Sequence, residues 1–397
     1  MTPSRPFAAL AALAAAVLWL TGCAGVADPA AARTGRGWLA VSANDHKAVL
    51  VDGVTRLLPN PTPDTLSLID LRGPVPRLVG ELAVPTTVVG PPVAVAVAPD
   101  ESIALVTAGK KPAGGDNVAS DNRLSVVDLQ ARPPRLLATL TVGAGAAGVS
   151  INRAGTLALV ANRDEGTVSV LRIRGTEVQV LGKLALGDAK SGPSAVAITP
   201  DGRRAFVSRD GDSRISVLAI DGETVTDTQR VLYAGQRPYP IDLCGSTGLG
   251  ITGNVGLGNG DEDTVSLFDA NASPPRVIDT LSVGQTPEGA VCSPDGRWVA
   301  VTVMSGSNKP AASPFYRAAG RVVVLRIEGR RLVLHGQADV GNWSQGALFS
   351  PDGRTLLVQN MVQKTISVLA VDERGVRDTG QTLAMPGGPA SIRAAQP

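Results

Sequence analysis

Residues 157–173 read LALVANRDEGTVSVLRI, and this stretch decides the architecture of the chain. Two apolar runs, 157–161 and 168–173, alternate Val and Leu with small or polar neighbours, the period-two signature of β-strands. Asn162, Asp164, Glu165 and Gly166 form a polar turn between them. A lone hairpin of this kind is marginally stable in water and needs partners to cover its apolar face. The chain supplies them by repetition.

Two landmarks recur. One is a tight turn: Pro99-Asp100, Pro200-Asp201-Gly202, Pro294-Asp295-Gly296 and Pro351-Asp352-Gly353, with Asn152-Arg153-Ala154-Gly155 as a degenerate copy. Pro and Gly preset the turn dihedrals, and Asp bonds its own backbone. The other is a strand: TLSLIDL from Thr65, RLSVVDL from Arg123, TVSVLRI from Thr167, RISVLAI from Arg214, TVSLFDA from Thr264, RVVVLRI from Arg321 and TISVLAV from Thr365. These seven copies start 58, 44, 47, 50, 57 and 44 residues apart. Each repeat divides into four strands, A to D, which in the most regular copy are 148–151, 157–161, 168–173 and 177–186. Four strands at a period of roughly 40–50 residues predict a β-propeller. The first copy lacks an A strand, having B at 37–43, C at 65–71 and D at 77–84. GPASIRA at 388–394 resembles the missing one. The expectation is an all-β, seven-bladed propeller of four-stranded blades over 37–397, its ring closed by the C-terminal strand completing the first blade. Closure removes exposed sheet edges. The alternative is a two-sheet sandwich.

ALVANRDEGTVSVLRI, the Pro-Asp-Gly turns and the D strands ending in Val-Gly resemble the YVTN-type repeat of bacterial seven-bladed propellers. That broad group includes lactonase-like propellers and the propeller subunits of some amine dehydrogenases. The resemblance covers nearly all of 37–397, but its motifs are structural. The fifth repeat departs from it, with Cys244-Gly245-Ser246-Thr247-Gly248 where Pro-Asp-Gly is expected. WD-type signatures are absent: there are two His and no Trp-Asp dipeptide.

The N-terminus reads as a targeting segment. Arg5 precedes an apolar run over 7–20, too short to span a bilayer comfortably, which ends in Leu20-Thr21-Gly22-Cys23. This looks like a bacterial lipobox, which implies a signal peptide over 1–22, lipidation of Cys23 and a flexible tether up to residue 36. Ala24 in place of Asp points to the outer membrane, facing the periplasm. The alternative is an ordinary secretory signal with an incidental Cys. Cys244 and Cys292 read as equivalent positions in adjacent repeats, where others carry Val97, Ile151, Ile198 and Phe349. The expectation is two buried thiols, since a disulfide needs Cα atoms within roughly 7 Å.

A net charge of +2 spread along the chain and an aromatic content of 3% exclude a nucleic-acid footprint and a stacking platform. The G-x-S-x-G elbow, H-E-x-x-H, paired C-x-x-C and phosphate-cradling Gly loop are all missing. Strand alternation puts A–B and C–D turns on one rim, and B–C loops with D–A crossovers on the other. The B–C loops are long in repeats one, two, five and six, so that rim is the binding candidate. It carries Asn44, Asp45, Lys47, Lys110, Lys111, Lys309, Phe315, Tyr316, Arg317 and Trp343. Catalytic candidates are His46 on the same rim, Glu288 in a crossover, and Asp242 and Arg393. Asp242 is aligned with Val95, Val149, Val196 and Ala290, as a carboxylate in an apolar place beside the channel, and Arg393 replaces small residues in the closing strand. Asp261 and Asp263 are weak candidates for Ca²⁺, since their spacing misses the D-x-[DN]-x-[DN]-G loop. No other cofactor is expected.

Two functions follow from different classes. The favoured one is a non-catalytic, lipid-anchored, monomeric propeller presenting its B–C rim to a periplasmic or envelope protein. The alternatives are a lactonase-like hydrolase with a site at the channel mouth, or an accessory subunit of a periplasmic redox enzyme.

Overall fold

The computed structural model describes residues 36–396. The expected signal peptide over 1–22, the lipidation site expected at Cys23 and the expected tether as far as residue 35 lie outside the described residues. Seven four-stranded antiparallel sheets make seven blades, and no described residue is helical. Blade 3 is the regular one: Ala146–Ile151, Leu157–Asn162, Thr167–Arg174 and Glu177–Ala185 serve as A, B, C and D. Blade 1 is built from both ends of the propeller, with Gly388–Ala394 as A beside Leu39–Asp45, Thr65–Asp70 and Arg77–Ala83. The other A strands are Val95–Val97, Pro193–Ile198, Pro238–Leu243, Pro287–Cys292 and Ser344–Phe349.

The core sits between blades. One apolar cluster fills each of the seven interfaces; Leu157, Leu159, Val207 and Leu218 lie between blades 3 and 4, for example, and Trp38, Ile69, Leu357 and Ile392 between blades 7 and 1. Each fully buried Leu or Ile contributes roughly 1.5–3 kcal/mol. A blade is buried on both faces, which explains why B and C strands read as nearly continuous apolar runs.

The recurring Thr-x-Ser of the C strands has a specific partner. An Asn ending the B strand donates to both hydroxyls: Asn44 to Thr65 and Ser67, Asn162 to Thr167 and Ser169, Asn254 to Thr264 and Ser266, and Asn360 to Thr365 and Ser367. The Pro-Asp-Gly turns close in a similar way. Asp201, Asp295 and Asp352 each accept from a hydroxyl two residues earlier and a backbone N–H two residues later.

Strand register corrects two sequence alignments. Thr252 pairs with Ile241 in blade 5, as Val106 pairs with Val95 in blade 2, so Ile241 is the counterpart of Val95, Val149, Val196 and Ala290. Asp242 is one place later, level with Ala96, Ser150, Ala197, Val291, Leu348 and Arg393. Blade 5 lacks the Pro-Asp-Gly from which the count is taken, and that caused the slip. The same offset applies to the cysteines. Cys244 is level with Ser293, while Cys292 is level with Leu243. Successive strand residues point to opposite faces, so the two thiols face each other across the interface between blades 5 and 6. They form a disulfide with Cα atoms 5.0 Å apart, in place of two free thiols.

The long B–C segments are ordered. In blade 1, Ala48–Val51 and Val54–Leu57 form a separate hairpin around Asp52-Gly53, both with positive φ. In blade 2 the B and C strands run on as Ile103–Pro112 and Val118–Asp128. The segments are tied together: Arg56 pairs with Asp116 at 2.7 Å, Ala311 N donates to Asp52, and Lys309 Nζ donates to the Gly258 carbonyl.

Candidate functional site: two polar layers in the channel

Seven inner strands surround the channel, and the level two residues before Val95, Val149, Val196, Ile241, Ala290, Ala347 and Ile392 marks its B–C end. That ring consists of Val93, Ala147, Ser194, Tyr239, Glu288, Gln345 and Ala390. Its polar half is joined by charges from the short B–C turns of blades 3 and 4. Arg163 donates to Ser194 Oγ at 2.8 Å and to Asp210 Oδ2 at 2.8 Å. Arg237 donates to the same Oδ2 at 2.9 Å, and Ser194 donates to Asp210 Oδ1 at 2.5 Å. The Arg163 guanidinium lies over the Tyr239 ring, 5.3 Å from its centroid, a cation–π contact.

Glu288 stands apart within this layer. Its side chain is buried and no hydrogen bond to its carboxyl is formed among the described residues. Burial pushes its pKa up to about 8, against the pull of Arg163 and Arg237, while Asp210 adds to the rise. At neutral pH it is therefore mostly a neutral acid with a proton to give. Gln345, at the same level in the next blade, is fully buried with neither amide atom partnered. Burial likewise raises the Tyr239 hydroxyl, so it stays protonated. Arg237, Thr286 and Trp343 precede their A strands with φ of 56°, 57° and 51°, where blades 3 and 4 place Gly145 and Gly192. Side chains in this left-handed region cost about 1 kcal/mol or more each, strain that concentrates around this mouth.

A strap covers the end. Residues 85–92 cross from blade 1 to blade 2; Lys47 Nζ bonds the Thr86 carbonyl at 2.6 Å, and Asp45 accepts from Val88 N at 2.8 Å. Asp64 accepts from Thr86 N at 3.2 Å and pairs with Lys47 at 2.7 Å. Val88 and Val89 pack with Met304, Trp343, Met361 and Ala390.

The predicted rim residues divide accordingly. Asn44, Asp45, Lys47 and Trp343 are buried in the framework just described, and Lys110 pairs with Asp164 at 2.7 Å. His46 places Nδ1 2.8 Å from Thr62 Oγ1 and Nε2 3.2 Å from Thr65 Oγ1, and burial lowers its pKa against the opposing pull of Asp64. Lys111, Arg317, Phe315 and Tyr316 are exposed. Asp263 accepts from Thr286 N at 2.8 Å and is raised by burial and by Asp261 and Glu262. Among the described residues, no three His, Cys, Asp or Glu side chains are grouped to hold a metal ion.

Asp242 and Arg393 are not in this layer. They lie three residues further along their strands, roughly 10 Å toward the A–B rim, with Arg393 Nη2 4.0 Å from Asp242 Oδ1. The four catalytic candidates thus fall into three places. Sequence reading passed over Arg163, Asp210 and Arg237. Their signal was an opposite-charge pair at one position of adjacent short turns, Asn162-Arg163 and Arg209-Asp210.

The chain is thus a closed seven-bladed propeller with a polar channel. No protein-family model matches it, and no curated protein does. Solved structures show which propellers it is similar to. A putative 6-phosphogluconolactonase from Bacteroides uniformis aligns with 90% of this chain and 98% of its own, at 15% identity and a TM-score of 0.67. The periplasmic gluconolactonase of Pseudomonas aeruginosa aligns with 90% and 100%, at 18% identity and a TM-score of 0.63. Kuenenia stuttgartiensis hydrazine synthase aligns with 79% and 95%, at 17% identity and a TM-score of 0.60. At these identities the likeness establishes the fold.

Proposed function

We propose that this propeller is a lactonase-like hydrolase working from the B–C layer of its channel. The observation that carries the reading is the Glu288 carboxyl, buried, neutral at pH 7 and facing two arginines. Opening a cyclic ester adds water to the acyl carbon and breaks its bond to the ring oxygen, giving a hydroxyl, a carboxylate and one proton that passes to solvent. Glu288 gives its proton to the ring oxygen as the C–O bond breaks, and recovers one from the water that has added. Arg163 and Arg237 favour the anionic intermediate and product. Gln345 offers an amide to a substrate hydroxyl. Two of the neighbouring structures bear gluconolactonase names, which supports an aldonolactone as the first substrate to try. Entry from the B–C side requires the strap over 85–92 to move.

The Leu20-Thr21-Gly22-Cys23 segment supports an exported enzyme anchored through Cys23, in the outer membrane facing the periplasm. One assay tests both parts. Membrane fractions should hydrolyse an aldonolactone at pH 6–7, the rate should fall as pH rises through about 8, and Glu288→Gln should remove it. Cys23→Ser should move the activity to the soluble fraction. No turnover above the spontaneous rate across a lactone panel would sink the hydrolase.

A second reading, docking of an envelope protein, is favoured by Val51, Val54, Leu257, Phe315 and Tyr316, all exposed on the linked insertions. In-cell crosslinks unchanged by Phe315→Ala with Tyr316→Ala count against it.

A further inference from the structure

We propose that the A–B mouth of the channel binds a small oxyanion of phosphate type, with Arg393 as its main ligand and Arg153 and Gln396 beside it. At the level of Arg393 the other blades carry Ala96, Ser150, Ala197, Asp242, Val291 and Leu348. A guanidinium at this place brings five N–H donors. Its side chain is only 14% exposed, its one ion-pair partner among the described residues is Asp242 at 4.0 Å, and none of its donors makes a hydrogen bond to them. Its donors open into the channel and are left for an acceptor from solution.

Asp242 does not fill that role. Its Oδ2 accepts from Cys292 N at 2.9 Å, and the Gln396 side chain also bonds its carboxyl. Burial raises its pKa, against the opposing pull of Arg393. Arg153 has no ion-pair partner among the described residues and stands at the same opening. The turn acids are engaged elsewhere: Asp100, Asp201, Asp295 and Asp352 each accept from a Ser or Thr hydroxyl of their own turn, and Glu101 accepts from Gly37 N at 2.7 Å. Two adjoining cavities of about 80 and 100 Å³ meet at Arg153, Leu243, Gly245, Arg393 and Gln396. They have room for an anion of a few heavy atoms. A planar guanidinium suits bidentate contact with phosphate or carboxylate oxygens.

The chain enters the propeller at this mouth, since Gly37 lines the second cavity. The oxyanion could therefore be a free ion or the phosphate of a lipid headgroup, and the test separates the two. The full chain in detergent is titrated with inorganic phosphate by calorimetry. Saturable binding is expected, weakened about tenfold or more in Arg393→Gln and less in Arg153→Gln. Asp242→Asn should tighten it several-fold, because the competing charge goes while an acceptor for Cys292 N remains. Glu288→Gln, in the other layer, should leave it unchanged, so the result stands whether or not the hydrolase reading does. Displacement of phosphate by phosphatidylglycerol vesicles and not by phosphatidylcholine assigns the lipid source; absence of displacement assigns the free ion. No saturable binding, binding indifferent to both arginine substitutions, or weakening by Asp242→Asn overturns the proposal.

Discussion

At the scale of single residues, Glu288 ties stability to pH. In the unfolded chain its carboxyl ionises near 4.5; in the fold burial holds the proton until about 8. Between those values the folded state binds the extra proton, so stability falls as pH rises through the window and levels off above it. Glu288→Gln has no such dependence. The variant should gain on the native protein as pH rises from about 4.5 to about 8, by a few kcal/mol at the top. Urea midpoints of both proteins at pH 5, 7 and 9 check this; parallel curves would show that Glu288 is ionised in the fold. The residue was legible in the sequence as an acid in a crossover, and the structure moves it into the inner strand Pro287–Cys292. Its companions were not, because Arg163 and Asp210 sit in turns that look like ordinary solvated charge. Only ring closure brings the turns of blades 3 and 4 to the crossovers of blades 5 and 6.

At the scale of elements, the strand pattern was readable because each blade buries both faces and repeats its Asn with Thr-x-Ser. Register was less so. Blade 5 has Cys244-Gly245-Ser246-Thr247-Gly248 in place of the Pro-Asp-Gly turn, so a count taken from that turn slips by one. The blade 1 insertion held a hairpin signal, Asp52-Gly53 between alternating apolar residues, which a reading focused on the long repeat treated as loop. The one-residue offset matters most for Cys244 and Cys292. Their bond joins adjacent blades across a sequence separation of 48, and loop closure of that length is worth about 4 kcal/mol in the chain-entropy picture. A reductant should lower the denaturant midpoint of the native protein correspondingly. Cys244→Ser with Cys292→Ser should start from the lower value and ignore reductant. If the midpoint of the native protein does not move while free thiols appear, the bond contributes nothing to the fold.

At the scale of the whole molecule, the ring is closed by a strand that arrives last. Gly388–Ala394 pairs with Leu39–Asp45, so the first blade cannot be completed until the C-terminus is made. Ile392 and Ala394 also fill the cluster between blades 7 and 1, against Trp38, Leu348, Leu357 and Ile366. Ending the chain at residue 387 removes one strand of twenty-eight blade strands, yet it uncovers that interface and leaves Leu39–Asp45 as an unpaired edge. An exposed apolar edge of this kind invites pairing with another chain. The seven large apolar interfaces each join neighbouring blades, so the damage should stay local at first. The expected result is a broadened unfolding transition, dye binding by exposed apolar surface and a tendency to aggregate. A synthetic peptide spanning 388–397, added in trans, should sharpen the transition again. It should fail to do so when its Ile392 is replaced by Asp, which would bury a charge in the interface. A truncated chain with a single sharp transition at the native midpoint would mean that the other six interfaces hold the ring without closure.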